Sequence, residues 1–221
     1  MLTDGLPSAV AAKVTGQTKR KRGTRSDYVT HRTVYSYQGI EYPINTTPSS
    51  GCHTQPLSEM IRRIVGAVER YKRVMFIRLD LSVSDYEETN ESLSAFLKQV
   101  ARHVKRKYKT RLEYVWAREQ EKAKRQHYHL ALLIDGDKIR YPTQLYEELG
   151  EKWRKGRLSI PNSPYLMTDG HNIADAVYRV SYLTKERGKG YRRDGVRDFD
   201  WSRFTPPQHS NNGDSTVTNQ R

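Results

Sequence analysis

Two histidines near the middle of the chain are placed where they can share one metal ion. In the run His127-Tyr128-His129 the imidazoles stand two residues apart, so in a β-strand they point to the same side. Imidazole is a common metal ligand in proteins. Taken alone, such a pair is weak evidence for a metal site, because two half-exposed histidines on a polar strand face are the commoner arrangement.

A carboxylate in the preceding strand strengthens this interpretation. Glu119 precedes His127 by eight residues, and a hairpin between the two strands would bring it alongside the histidine pair. A carboxylate oxygen beside two imidazoles suits Mg²⁺ or Mn²⁺ bound to phosphate oxygens, and also Zn²⁺. Two alternatives remain open: Glu119 forms a salt bridge with a basic loop residue, or Gln120 or Glu121 takes its place as the ligand.

A late helix is expected to present two tyrosines and a lysine on one face. Tyr178, Tyr182 and Lys185 follow an i, i+4, i+7 spacing, which places them together on a helix. A separate apolar stripe faces the other way: Ile173, Ala176, Val180 and Leu183. Because that stripe can face the core, the tyrosine face is left for a cleft or for solvent.

The chemistry available to this face is covalent. A tyrosine hydroxyl can attack phosphorus and form a phosphotyrosine, which retains the bond energy for later rejoining. A nearby metal ion would polarise the phosphoryl oxygen. Lys185 would hold the phosphate or help to stabilise the phenolate, and Tyr178 would be a second nucleophile or a residue on which DNA bases stack.

The elements that position these residues follow from periodicity. Residues 112–120 and 127–134 are predicted to be two strands joined by a short polar connection. The tyrosine helix is predicted to begin after Asn172, to run through Lys185 and to stop at Gly188 and Gly190.

The remaining elements are mixed in order. We expect a hairpin around Gln38-Gly39, a helix over residues 57–71, a strand over 73–82 and a helix capped by Asn90. That last helix would leave Lys98, Arg102, Lys105 and Arg106 for solvent or phosphate. A helix opening at Pro142 and a strand within 157–167, interrupted by prolines, complete the pattern, which predicts an α+β fold with an antiparallel central hairpin.

Composition favours a nucleic-acid partner. The 221 residues include 39 basic and 25 acidic side chains, for a formal net charge of +14, and such an excess attracts phosphate backbones. Cys52 is the sole cysteine, which excludes an internal disulfide and a cysteine-rich zinc site. No signal peptide or membrane-spanning run is evident, so we expect a soluble cytoplasmic protein.

Both ends are expected to be tails. Residues 1–30 are small, polar and basic, and residues 205–221 are rich in Pro, Asn, Ser, Gln and Thr. Neither segment can bury enough apolar area to offset chain entropy. The sequence therefore predicts a disordered basic arm, one folded domain over residues 31–204, and a disordered polar tail.

These residues together resemble the HUH endonucleases that initiate rolling-circle replication. The carboxylate followed by His127-Tyr128-His129 resembles the superfamily's metal motif, and Tyr182-Leu183-Thr184-Lys185 resembles its nucleophile helix. A closer likeness is to inovirus-type replication initiators of filamentous phages and prophages, through residues 114–120 and the later run 197–203. The likeness spans residues 70–204, but Tyr128 departs from the aliphatic residue more usual there.

The resemblance implies an HUH/RRM-like sheet of about five antiparallel strands, a Mg²⁺ or Mn²⁺ cofactor bound by His127, His129 and Glu119, and nicking of single-stranded origin DNA by Tyr182 in a bacterial host cell. No helicase domain follows, so host helicase and polymerase are expected partners. We expect these basic residues to contact the DNA: Arg78, Arg102, Lys105, Arg118, Lys122, Lys124 and Arg125.

Two other functional classes remain open from the sequence. The same chemistry would serve a single-stranded-DNA transposase or a mobilisation relaxase, although relaxases usually complete the metal site with a third histidine and no suitable one is evident. A DNA-binding replication regulator without catalysis would carry the same charge. Covalent attachment to DNA would separate the enzymes from the regulator.

Overall fold

The computed structural model describes residues 28–120, 125–139, 142–161, 163–168, 171–204 and 206. Most of the expected arm and tail lies outside these residues, as do Glu121, Lys122 and Lys124. Residues 28–30, at the end of the expected arm, are described and contain the first strand.

Short strands form the N-terminal part of the described chain: β1 (Val29–Thr30), β2 (Val34–Tyr37), β3 (Ile40–Pro43) and β4 (Cys52–His53). The strands β2 and β3 form the predicted hairpin, and β1 pairs with β4. Gln38 and Gly39 make the hairpin turn with φ of 51° and 79°, the left-handed conformation that a two-residue turn with the twist of the strands requires.

A six-stranded antiparallel sheet forms the centre of the described part. Its strands are β5 (Val74–Ser82), β6 (Leu112–Glu119), β7 (His127–Asp135), β8 (Leu158–Ser159), β9 (Tyr165–Met167) and β10 (Phe199–Trp201). They lie in the order β10–β6–β7–β5–β8, and β9 also pairs with β5. The predicted α+β class with a central antiparallel sheet is confirmed.

Helices cover both faces of this sheet. They are α1 (Thr54–Arg70), α2 (Glu91–Tyr108), α3 (Pro142–Lys152) and α4 (Ile173–Ser181). Asn90 and Asn172 precede α2 and α4 as predicted, but neither side chain caps its helix. No helix in the described ranges is long and apolar enough to span a membrane.

The tyrosine helix ends earlier than predicted. It stops at Ser181, Tyr182–Thr184 form a 3₁₀ turn, and Lys185 is extended and bridges to Cys52. The side-chain hydroxyls of Ser181 and Thr184 donate to the carbonyls of Tyr178 and Ser181, each at 2.7 Å. Such local hydrogen bonds compete with the helical pattern, and the strand-like contact with Cys52 then takes over the backbone.

Alternation along the strands divides the apolar side chains into two cores. One core holds Met75, Ile77, Leu79 and Leu81 of β5 beneath α2 and α3. The other holds Phe76, Val115, Ala117, Ala131 and Leu133 together with the apolar stripes of α1 and α4. The tyrosine-bearing segment therefore lies on the opposite side of the sheet from α2.

Candidate active site

Three neighbouring strands place polar side chains in two adjacent rows on one sheet face. Across the strands, Ala117, His129 and Asp80 are register partners, and the next row on that face contains Glu119, His127 and Ser82. Directly opposed side chains in such rows lie about 5 Å apart at Cβ. The strand register alone therefore brings two histidines and two carboxylates to one end of the sheet.

His129 contacts both carboxylates. Its Nδ1 lies 2.7 Å from Oδ1 of Asp80, and its Nε2 lies 3.2 Å from Oε2 of Glu119. Burial by itself lowers the pKa of the imidazole, but the two carboxylates outweigh it and raise that pKa. Burial opposes ionisation of Asp80, yet His129 and Arg78 hold the pKa of its carboxyl below the ordinary value.

Glu119 also forms an ion pair with Lys189. The ammonium lies 2.6 Å from Oε1 of Glu119, and the lysine side chain is only 5% exposed. Burial raises the pKa of Glu119, but the hydrogen bond from His129 and the charge of Lys189 lower it to about 2. Burial lowers the pKa of Lys189, and the ion pair with Glu119 opposes that effect.

The cluster contains donors that a divalent cation can use. His129 and Glu119 offer an imidazole nitrogen and a carboxylate oxygen in contact, and Asp80 holds the other ring nitrogen, as the outer partner of a metal-bound histidine does. His127 shares their face but is exposed. Within the described ranges, no three His, Cys, Asp or Glu side chains are grouped to hold a metal ion. The chemistry of the donors fits a cation, and His127 is the member that would have to turn inward.

Tyr182 lies against this polar cluster. The centre of its ring is 6.1 Å from that of His129, in an edge-to-face arrangement. The guanidinium carbon of Arg78 is 5.0 Å from the ring centre, and the ammonium of Lys185 is 5.3 Å from it. A partly buried tyrosine thus contacts the histidine and two cations, and a phosphate beside its hydroxyl would find positive charge nearby.

The segment that follows Tyr182 is fixed by backbone hydrogen bonds. Gly51 accepts from the amide of Glu186 at 3.0 Å, and Gly188 accepts from the amide of Gln120 at 2.9 Å. Gly188 has a φ of 71°, a left-handed conformation that glycine adopts without strain. This turn places the side chain of Lys189 beside Glu119.

A cleft of about 490 Å³ lies beside the cluster and reaches it at Glu119 and Tyr182. Its lining includes Glu119, Tyr182, Lys185, Lys189 and the 41% exposed Tyr191. A second strip of the lining comes from Thr47, Ser49 and Ser50. Cationic, aromatic and hydroxyl groups together suit a single nucleic-acid strand, whose phosphates and bases need contacts of both kinds.

Tyr178 is separated from this arrangement. It lies one turn before Tyr182, is 43% exposed, and does not line the cleft. Ser181 and Tyr182 both keep right-handed helical backbone angles, so the two tyrosines remain one helical turn apart and the chain leaves the helix only at Lys185. The structure therefore brings Tyr182 to His129, with Lys185 against the tyrosine ring, and leaves Tyr178 outside the cleft.

The expectation that Arg118 contacts DNA is corrected by its burial. The residue is 1% exposed, and its guanidinium donates to the carbonyls of Glu87 and Thr89 and to Oδ1 of Asn90 at 2.9–3.1 Å. Alternation in β6 places Arg118 on the same face as Trp116, under α2. Its role is to hold the loop that leads into α2.

The other expected DNA contacts fall into three positions. Arg78 lies in the site, where its Nε is 3.4 Å from Oδ1 of Asp80. Arg102 and Lys105 are exposed on α2, across the sheet from the cleft, and Arg125 is exposed just before β7. Lys122 and Lys124 lie outside the described residues.

Two residues of the site were missed at the level of sequence. The signal for Asp80 was present, since a charged residue in an otherwise apolar strand shares its face with Arg78. Lys189 stands between two glycines without any periodic pattern. Only the turn at Gly188 brings it to Glu119.

Comparison with known proteins yields one family. The family model described as the YagK/YfjJ C-terminal domain matches residues 41–159, just over half of the chain. The match includes His127, His129, Glu119 and Asp80 but ends before Tyr182. No curated protein and no solved structure matches the chain.

Proposed function

The chain belongs to the YagK/YfjJ C-terminal domain family, a family of prophage-associated proteins, and we propose that it nicks and rejoins single-stranded DNA through a covalent bond to Tyr182. In this proposal it is an HUH-type initiator of rolling-circle replication of a phage, prophage or plasmid. The observation that carries the proposal is the packing of the Tyr182 ring against His129, at 6.1 Å between ring centres, with Tyr182 and Glu119 both lining one cleft.

The reaction exchanges one phosphoester for another. The phenolic oxygen of Tyr182 attacks the phosphorus and loses its proton, while the bond from phosphorus to the 3′ oxygen breaks and that oxygen takes up a proton. The products are a 5′-phosphotyrosine and a free 3′ hydroxyl that can prime synthesis. The reverse attack by a 3′ hydroxyl rejoins the strand.

The residues of the site have separate roles in this scheme. A divalent cation held by His129 and Glu119, with His127, would polarise the scissile phosphate. Asp80 orients the His129 ring through Nδ1. Arg78 and Lys185 flank Tyr182 and would bind phosphate oxygens, which positions the phosphorus for attack.

The decisive experiment is a search for a covalent adduct. Labelled single-stranded oligonucleotides, tiled over both strands of the DNA that flanks the encoding gene, are incubated with the protein and Mn²⁺. We expect an SDS-resistant complex that maps to Tyr182, no complex with Tyr182→Phe, and no metal-dependent cleavage with His129→Ala. Normal nicking by Tyr182→Phe would reject the assignment.

Tyr178→Phe provides the matched control, because it removes an equivalent hydroxyl one helical turn away. We expect it to form the adduct at close to the wild-type level, since Tyr178 lies outside the cleft. Loss of the adduct in this variant, with Tyr182→Phe unaffected, would assign the nucleophile to Tyr178. Binding without any adduct in every variant would favour the non-catalytic regulator.

A further inference from the structure

The solvent face of α2 carries an unusual concentration of positive charge. Lys98, Arg102, Lys105 and Arg106 are exposed and fall within an arc of roughly 100° on the helix, over a length of about 12 Å. The acidic residue of the helix, Glu91, is in its first turn. Like charges at such spacing destabilise a helix slightly, and a bound anionic ligand would relieve that repulsion.

These four cations have no anionic partner among the residues that the structure describes. Among the described residues, no carboxylate lies within ion-pair distance of any of them; the neighbouring Lys107 is the one that pairs with Glu148 of α3. Within the described ranges, the one side-chain hydrogen bond of the group runs from Nε of Arg102 to the carbonyl of Lys98 at 3.3 Å. Their charged groups therefore remain available to an external ligand.

The side chains around the four cations limit which class of anionic ligand can bind there. A helix that binds a membrane surface inserts its apolar face into the lipid, but the apolar residues of α2 are buried against the sheet. Single-stranded nucleic acid is held by exposed aromatic rings as well as charge. In the described part of the chain, the exposed large apolar side chains all lie outside α2: Tyr28, Val34, Ile40, Tyr86, Tyr178 and Tyr191.

We propose that the solvent face of α2 binds the phosphate backbone of duplex DNA. This surface lies across the sheet from the cleft, because α2 packs on one core and Tyr182 on the other. In this proposal the substrate is DNA with a single-stranded part and an adjoining duplex. The single strand enters the cleft, and the duplex contacts α2 on the other side of the sheet. The inference rests on the proposed function only in taking the nucleic acid to be DNA.

The test measures how duplex binding depends on salt. A labelled duplex of arbitrary sequence is titrated by fluorescence anisotropy with Tyr182→Phe protein, without divalent metal, over a series of KCl concentrations. The same background carries Arg102→Gln with Lys105→Gln, or, as a control with equal loss of charge, Lys72→Gln with Lys138→Gln. The control residues are exposed and lie at the opposite end of the strands from the cleft.

Each lost phosphate contact reduces the slope of log K against log salt by about 0.9. We expect the α2 pair to reduce the magnitude of the duplex slope by roughly 1.8, with the control pair leaving it nearly unchanged. Glutamine is a good helix former, and a urea unfolding curve confirms that the fold is intact. Equal changes in both pairs, or an unchanged slope in the α2 pair, would overturn the proposal.

Different results would reject the nicking proposal and the duplex-binding proposal. Adduct formation on a fully single-stranded oligonucleotide is measured with the wild-type protein and with Tyr182→Phe, whereas the salt slopes of the α2 and control pairs are measured in the Tyr182→Phe background, where no adduct is expected. If no variant forms an adduct but the salt slopes behave as expected, the nicking proposal fails and the duplex surface stands. If adducts form but the slopes of the α2 and control pairs agree, only the duplex surface is rejected.

Discussion

The Nδ1 atom of His129 lies 2.7 Å from Oδ1 of Asp80 on the adjacent strand. This hydrogen bond sets the orientation of the imidazole and turns Nε2 toward Glu119, at 3.2 Å from Oε2. A carboxylate in this position fixes the tautomer of a metal-binding histidine and increases its basicity.

We therefore expect Asp80→Asn to weaken Mn²⁺ binding by about 10-fold or more, because the neutral amide polarises the ring less than a carboxylate does. Isothermal titration calorimetry on the folded protein measures this directly. Asp175→Asn is the control, since Asp175 is exposed on α4 and pairs with Arg179. Equal Mn²⁺ affinity in wild type and Asp80→Asn would show that Asp80 has no part in cation binding.

Replacement of Arg118 should affect stability rather than DNA contact. Arg118→Met removes the hydrogen bonds that hold residues 87–90 and takes the donor from the partly buried carbonyl of Glu87, at a cost of about 2–4 kcal/mol in the free energy of unfolding. Arg125→Met, at an exposed position, should change stability by less than about 0.5 kcal/mol. Urea unfolding compares the two, and similar small losses would contradict the structural role of Arg118.

The buried carboxyl of Glu113 predicts a pH-dependent stability. Burial raises its pKa above the ordinary value, although Arg70 opposes the shift. A carboxyl with a raised pKa in the folded state favours the protonated form, so its contribution is fully present below the unfolded pKa, about 4.5, and is lost as the pH rises through the folded pKa.

Glu113→Gln keeps the shape of the side chain and cannot ionise. The free energy of unfolding of Glu113→Gln, relative to that of wild type, should therefore increase as the pH rises from 4.5 toward neutrality. Unfolding in urea at several pH values measures the difference. A difference that stays constant with pH would mean that Glu113 has the same pKa in the folded and unfolded chain.

Two glycines near α3 should respond oppositely to alanine. A Cβ atom on Gly156 would overlap the carbonyl oxygen of Ser82, whereas one on Gly150 has open space around it. Gly150→Ala, within α3, should raise the free energy of unfolding by up to about 1 kcal/mol. Gly156→Ala should lower it by more than about 1 kcal/mol, because the loop must move off β5. Thermal unfolding of the two variants measures these changes. Equal effects on the two stabilities would contradict the close approach of Gly156 to Ser82.

Much of the fold followed from local pattern. The hairpin at Gln38-Gly39, the long strands and the three longest helices occur near their predicted positions, since turn chemistry and apolar periodicity act over a few residues. The parity of β5 and β7 also indicated which side chains share the polar face.

Sequence pattern alone did not predict which residues border the site. Alternation in β6 puts Arg118 on the opposite face from Glu119, but only the packing of α2 on that face shows that the side chain is covered. The end of α4 at Ser181 depends on hydrogen bonds from side-chain hydroxyls to backbone carbonyls and on the β-bridge between Lys185 and Cys52. The helical spacing of the tyrosines does not predict that bridge.

By itself, the sequence determined the chemical types at hand: histidines two apart on a strand, a carboxylate in the preceding strand, a tyrosine and lysine on a late segment, and a surplus of positive charge. The tertiary structure decided which of them meet. Strand register placed Asp80 beside His129, and the turn at Gly188 brought Lys189 to Glu119. These contacts join residues 49 and 70 positions apart, and such pairings arise from the packing of the whole sheet rather than from any local preference of the chain.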